Sequence, residues 1–293
     1  MAEGFLNILK PPGMTSHDVV GYIRKIFCTK QVGHAGTLDP GAAGVLPVAV
    51  GKATRLVEYL SVAQKSYRLE LLFGFSTDTG DVGGEVLEHL AEFCVPGKDV
   101  IEKKLQEFVG DIMQRPPAYS ALKIQGKRAY ALAREKHDVK LPARRVKIYG
   151  LHFIEQCGSR VLLDMICSKG TYVRSFCQDF GTSIGIPATM GFLLRKKVGR
   201  FSLQDSFTLE ETAKVKETAL LPLDAAIAHL PRCEIASHRI KPFCNGLSTG
   251  NIRPLPTENI LRVYGEGNFI GIGRYDMEKH ELYPTKIFRE TRN

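Results

Sequence analysis

The segment from Gln31 to Gly51 constrains the fold more than any other. It holds five glycines and two prolines and shows no helical period, yet it is rich in small apolar residues. Such a stretch reads as a packed loop leading into a buried, valine-rich strand. Within it, Gly33-His34-Ala35-Gly36-Thr37-Leu38-Asp39-Pro40-Gly41-Ala42-Ala43-Gly44 sets an aspartate between apolar residues, ahead of a proline and ringed by glycines. A rigid turn of that kind lets a ligand approach the backbone closely. An Asx-type turn, in which Asp39 bonds only its own backbone, fits the segment equally well.

Around this loop the apolar spacing switches between the strand and helix periods. Phe5 to Leu9 reads as a short strand stopped by Lys10-Pro11-Pro12-Gly13, and Thr15 or Ser16 caps a helix through Phe27 with Val19, Val20, Ile23, Ile26 and Phe27 on one face. Tyr67, Leu69, Leu71 and Phe73 share one face of a strand. Asp99 to Val109 fits a short amphipathic helix, Pro116-Pro117 open an extended piece, and Ala129 to Lys136 reads as helical. Arg145 to Ile154 and Arg160 to Cys167 alternate as two strands joined by a Gly158-Ser159 turn. Val173, Phe176, Cys177 and Phe180 recur at helical spacing between Thr171 and Ile184, and Thr208 with Glu211 forms a capping box for a helix to about Glu217. Hairpins and helices without regular βαβ alternation define an α+β fold.

Leu230-Pro231-Arg232 marks a boundary. Beyond it Ile260 to Tyr264, Phe269 to Arg274 and Leu282 to Phe288 read as short strands between glycines, a small all-β module. Two domains are therefore expected, 1–230 and 231–293. Forty Lys and Arg against 31 Asp and Glu leave a formal charge of +9, which suits a polyanionic partner without requiring one. The nearly apolar stretch Ala42 to Val50 is interrupted by a proline and falls short of the ~20 residues of a membrane span. Met1 to Pro12 carries no secretory pattern, so a cytoplasmic protein is expected. Seven cysteines, an odd number with no Cys-x-x-Cys pair, point to reduced and mostly buried thiols and away from disulfides or structural zinc.

Common catalytic motifs fail on spacing. Gly51-Lys52-Ala53-Thr54 lacks the glycine and the hydroxyl of a phosphate-binding loop, having Leu46 and Ala53 in their places. Gly265, Gly267 and Gly271 miss the dinucleotide spacing by one. The chain has no His-Glu-x-x-His and no Gly-x-Ser-x-Gly. What remains is polar side chains at junctions. Cys167-Ser168-Lys169-Gly170-Thr171-Tyr172-Val173-Arg174 reads as a strand, a turn and the first turn of a helix, where the Arg174 guanidinium could pair bidentately with a carboxylate and keep it ionised; alone, it also reads as a surface arginine. In Lys65-Ser66-Tyr67-Arg68 an aromatic ring at the start of a strand could face a base, or simply join the core.

At this point a resemblance emerges. Gly33 to Pro40 with Gly44-Val45-Leu46-Pro47 resembles the catalytic-aspartate motif of the TruB family of pseudouridine synthases, the bacterial tRNA pseudouridine-55 synthases. Tyr67 with Gly74 to Asp81, then Arg115-Pro116-Pro117-Ala118-Tyr119-Ser120-Ala121-Leu122-Lys123, then Gly170 to Arg174 resemble further blocks of the same family in the same order. The likeness is dense from about residue 5 to 200 and looser after 230, where the β module stands in the position of a PUA-like RNA-binding domain. One departure is local: after Tyr130-Ala131-Leu132-Ala133-Arg134 the family has a nearby glycine, and this chain has Glu135-Lys136-His137.

The resemblance implies isomerisation of uridine to pseudouridine in the T loop of tRNA, by a monomer, with no metal and no cofactor. It implies Asp39 as nucleophile or base, Arg174 as the cation that orients it, and Asp81 as a second carboxylate near that arginine. Tyr67 would stack on the target uracil near C5, with proton removal by its phenol left open. Leu194 would pack on the other face of the base, and Tyr172 would join the substrate site. His34 would enter the gap left by the extruded base, unless it is a turn histidine bonding backbone, and Lys10 would hold phosphates. Two alternatives stay open: a guide-RNA-dependent synthase, against which the chain lacks a lysine-rich carboxy-terminal tail, and an RNA-binding helper of tRNA folding.

Overall fold

The computed structural model describes residues 2–120, 123–124, 127–129, 141–250, 252 and 255–288. The chain opens with β1 (Gly4–Lys10) and α1 (Ser16–Ile26), then β2 (Val32–His34), β3 (Ala43–Val50) and β4 (Lys65–Phe73). A small hairpin, Phe75–Thr77 with Val86–His89, precedes α2 (Lys98–Gln106), β5 (Gly110–Gln114), β6 (Arg144–Cys157) and β7 (Arg160–Cys167). Next come α3 (Val173–Ile184), β8 (Ala188–Val198) and α4 (Leu209–Val215). The main sheet runs β1-β3-β8-β4-β7-β6-β5, with β2 pairing β3. Among these pairs only the short contact of β8 with β3 is parallel. The α+β reading holds.

Each expected element that falls on described residues forms for the reason its pattern gives. Thr15 and Asp18 close a reciprocal capping box at the start of α1, whose Val19, Val20 and Ile23 pack on Leu46, Val48 and Val50. The opposite face of β3, with Val45 and Ala49, joins Phe5 and Leu56, so the strand is buried on both sides. Tyr67, Leu69, Leu71 and Phe73 point from β4 into a third core with Val173, Phe176, Cys177 and Phe180 of α3. The sheet edge at β1 is covered by backbone bonds to Phe207 and Leu221.

Besides the small hairpin and the strand Arg232–Ile235, three strands of the main sheet are not predicted by the sequence pattern. Val32–His34 was contained in the loop, and Gly110–Gln114 and Ala188–Val198 lack clean alternation. The helix expected over Ala129 to Lys136 lies, from position 130 on, outside the described residues.

The carboxy-terminal segment forms β9 (Arg232–Ile235), α5 (Ser237–Cys244), β10 (Ile260–Gly265), β11 (Asn268–Asp276) and β12 (Glu281–Ile287). Its four strands make a separate sheet in chain order, with Phe243 of α5 in the core, so the small β module also carries a helix. Ile272 reaches the core of Phe5 and Val45, and Arg55 donates to the Ile287 carbonyl, so the two sheets are packed together. The cysteines were expected to be mostly buried; Cys167, Cys177 and Cys233 are buried and Cys244 is half-buried, whereas Cys28 and Cys157, at the ends of α1 and β6, and Cys94, in a loop, are exposed.

Candidate active site

The site forms where the loop between β2 and β3 meets the first turn of α3. Asp39 and Pro40 lead a turn closed by Ala42 N–H donating to the Asp39 carbonyl, which explains the proline after the aspartate. From the other side, Tyr172 caps α3. Its backbone N–H donates to Gln114 Oε1 at 2.8 Å and its carbonyl accepts from Gln114 Nε2 at 3.0 Å, so β5 holds the helix start in place.

This brings Arg174 to Asp39. Arg174 Nε lies 3.0 Å from Asp39 Oδ2; the arginine side chain is 6% exposed and the aspartate 37%. Nη1 donates to the Thr79 carbonyl at 2.8 Å and Nη2 to the Tyr119 carbonyl at 2.9 Å. The pair is therefore single-pointed, not the bidentate fork the sequence suggested, because two backbone carbonyls take the outer nitrogens. A buried cation is thereby fully partnered while the carboxylate keeps a face toward solvent.

Asp81 is the second carboxylate beside that arginine, with Oδ2 3.9 Å from Nε. Its Oδ1 accepts from Thr79 Oγ1 at 2.8 Å and Gly83 N–H at 3.1 Å, so it is held by its own turn. Gly80, at φ +76°, brings that turn against Arg174: a Cβ there would lie 3.2 Å from the arginine's own.

Tyr67 lies on β4 in the core that also holds Leu38 and Ala42 of the Asp39 loop. Burial pushes its phenol pKa up, so the ring is a neutral hydrogen-bonding group at pH 7. Tyr172 is half-buried, and burial raises its phenol as well. His34 is half-buried at the end of β2, with Nδ1 enclosed and unpartnered. Burial and then the Arg195 charge lower its pKa, which makes the imidazole neutral.

Two expected site residues are placed elsewhere. Lys10 is fully buried, and its ammonium donates to the carbonyls of Pro11 at 2.8 Å, Met14 at 2.6 Å and Pro40 at 3.2 Å. It braces the Asp39-Pro40 turn and presents nothing to a phosphate. Burial lowers its pKa to about 8.

Leu194 is the second correction. Its register partner on β4 is Arg68, on the face where Arg68 and Lys196 meet Asp164. Leu193 pairs with Leu69 and so shares the Tyr67 face. Two consecutive leucines cannot be told apart until register is known.

Sequence reasoning also missed Arg195 and Gln114. Arg195 stands among Lys196 and Lys197 and reads as part of a solvated charge run, yet it is fully buried beneath the Asp39 loop. Among the described residues no three His, Cys, Asp or Glu side chains gather where they could hold a metal ion. No helix among them is long and apolar enough to cross a membrane.

A chain of a crystallised Cbf5-Nop10-Gar1 complex superposes on this one with a TM-score of 0.77 at 28% identity, over 98% of this chain and 84% of that one. A chain from a structure of an H/ACA RNP bound to a substrate RNA containing 2'-deoxyuridine does so with a TM-score of 0.76 at 25% identity, over 98% and 85%. The fold is that of a pseudouridine synthase. The sequence profile described as "TruB family pseudouridylate synthase (N terminal domain)" matches residues 24–173. The tRNA pseudouridine synthase B of Moorella thermoacetica is 45% identical over 99% of this chain and 100% of its own length, and that of Alkaliphilus oremlandii 42% identical over 98% of each. The chain belongs to the TruB family of pseudouridylate synthases and is an enzyme of the isomerase type. The resemblance carried by the four sequence blocks is borne out.

Proposed function

We propose that this protein converts uridine 55 in the T loop of tRNA to pseudouridine. The observation that carries the reading is the Asp39–Arg174 pair: a half-exposed carboxylate held 3.0 Å from a buried, fully partnered guanidinium. The names of the curated relatives support tRNA as the substrate. The C1′–N1 bond breaks, the C1′–C5 bond forms, C5 gives up its proton and N1 gains one, so no atom is lost and no electron acceptor is needed. Asp39 acts as nucleophile or base on the separating sugar and base, and Arg174 orients it and offsets its charge.

The uridine is stacked inside the T loop, and reaching it costs a few kcal/mol of unstacking. Tyr67 and Leu193, adjacent on one sheet face, would receive the flipped base, while His34 would follow it into the loop. Asp81 acts on Arg174 rather than on substrate, and Tyr172 lines the approach. We take residues 1–230 as the catalytic domain and 231–293 as a PUA-like RNA-binding domain, a division supported by the change of sheet at Arg232. On this reading the enzyme works as a monomer in the cytoplasm.

The test is to incubate the pure protein with an unmodified tRNA transcript and map pseudouridine along it. Modification at position 55 alone is expected; none, or modification elsewhere, would overturn the reading. The likeness to a chain of the Cbf5-Nop10-Gar1 complex favours a second reading, a guide-RNA-dependent synthase. A requirement for added guide RNA in the same assay would select it.

A further inference from the structure

Arg195 on β8 is 1% exposed and takes no part in the reaction as proposed above. A guanidinium survives such burial only where its arms find acceptors. Nε donates to the Val45 carbonyl at 2.8 Å, Nη1 to Thr37 at 3.1 Å and Nη2 to Gly36 at 3.0 Å. Gly36 and Thr37 lie just ahead of Leu38-Asp39 in the loop that carries the carboxylate. Across the sheet, Arg195 is the register partner of Tyr67, both side chains are buried, and the Arg195 charge acts on the Tyr67 phenol.

The strand backbone is fixed as tightly as the side chain. Gly44, at φ +114°, pairs with Arg195 in parallel register, and a Cβ there would overlap the Arg195 carbonyl. One buried side chain thus bonds the loop that carries Asp39 and stands in register beside the residue proposed to receive the base.

We propose that Arg195 is a positioning residue of the reaction, a tie that holds the Tyr67 ring and the Gly36–Thr37 backbone ahead of Asp39 as one rigid unit. Its loss slows the chemical step and leaves tRNA affinity almost unchanged, since a displacement of about 1 Å in such a site can cost on the order of a hundredfold in rate. The inference rests on the roles proposed for Asp39 and Tyr67.

The experiment is a double-mutant cycle of wild type, Arg195→Lys, Tyr67→Phe and the double variant, read as single-turnover pseudouridine formation at saturating tRNA, with the tRNA Kd and thermal midpoint of each. Lysine keeps the charge but cannot reach the three carbonyls together. Arg195→Lys is expected to be at least about thirtyfold slower with a Kd within about threefold of wild type. The double variant should be about as slow as the slower single variant, because both cut the same tie.

Losses that multiply, a folded Arg195→Lys within threefold of wild type in rate, or a Kd weakened in proportion to the rate would each overturn the proposal. Should Arg195→Lys not fold, Arg195→Gln takes its place in the cycle; if neither folds, the role is purely structural and the proposal is overturned. Asp39→Asn is the control. If it retains turnover, the role proposed for Asp39 falls and this inference with it; if it is inactive while Arg195→Lys keeps full rate, only this inference falls.

Discussion

Asp39 and Arg174 meet at 3.0 Å from opposite sides of the site, one on a proline-locked turn and the other on the first turn of a helix. Arg174 Nη1 and Nη2 also donate to the Thr79 and Tyr119 carbonyls, so the arginine cannot swing away from the carboxylate without breaking both bonds. Arg174→Met should therefore lower kcat at least a hundredfold, with little change in tRNA Kd, and cost about 2 kcal/mol of stability in urea. Arg174→Lys should recover part of the stability but little of the rate, because an ammonium cannot span the three acceptors.

Asp39→Ala is expected to lose all turnover while still binding tRNA, since phosphate and stacking contacts persist. Single-turnover assay and filter binding on the same preparation check both halves. Retained pseudouridine formation would remove Asp39 from the chemistry. A cellular role that survives Asp39→Asn would show a folding-helper activity alongside the enzyme's.

Tyr67→Phe keeps the ring and loses the hydroxyl, whereas Tyr67→Ala loses both and opens a cavity in the core shared with Leu38 and Leu193. The phenylalanine variant should bind tRNA more tightly than the alanine variant and should melt at a higher temperature. Equal Kd values in the two would exclude stacking on this ring.

Gly44→Ala should cost at least about 2 kcal/mol, read in urea unfolding, because its φ of +114° is unfavourable for any L side chain and its Cβ would press on the Arg195 backbone. Ala43→Gly, one position earlier, should cost less than half as much, since β3 can keep its register there.

Lys65 carries a pH signature. Its ammonium donates to the Ser61 and Ala63 carbonyls, and burial, then the Arg195 charge, lowers its pKa to about 8. Between that value and the ordinary lysine range, the unfolded chain binds this proton and the folded one has released it, so stability gains a term that rises with pH. Below about pH 8 the side chain is charged in both states and the term is flat. Lys65→Met should flatten the wild-type rise by up to about 1.4 kcal/mol per pH unit, measured by urea unfolding at about pH 7.5, 8.5 and 9.5. Lys10 shifts in the same direction, so some rise should remain. An unchanged slope in the variant would refute the assignment.

Much of the fold was legible wherever a local rule decided it. The Thr15–Asp18 and Thr208–Glu211 boxes, the alternation of β4 and β7, and the apolar stripe of α3 each depend on neighbours a few residues away. The strand β8 was not legible, because irregularities in its pairing with β4 between Met190 and Leu193 and between Arg195 and Lys197 break its period of two.

Residue order drew attention to Asp39, Arg174 and Tyr67, which stand at turns and element starts, but each also had a plain structural reading, and their roles, with that of Asp81, came from the family resemblance. Long-range packing settled the rest: that Leu193 and not Leu194 shares the Tyr67 face, that Lys10 braces a turn instead of meeting phosphate, and that Arg195 lies under the Asp39 loop. The reason is physical. Burial and strand register belong to pairs of segments far apart along the chain, and no window of sequence contains both partners.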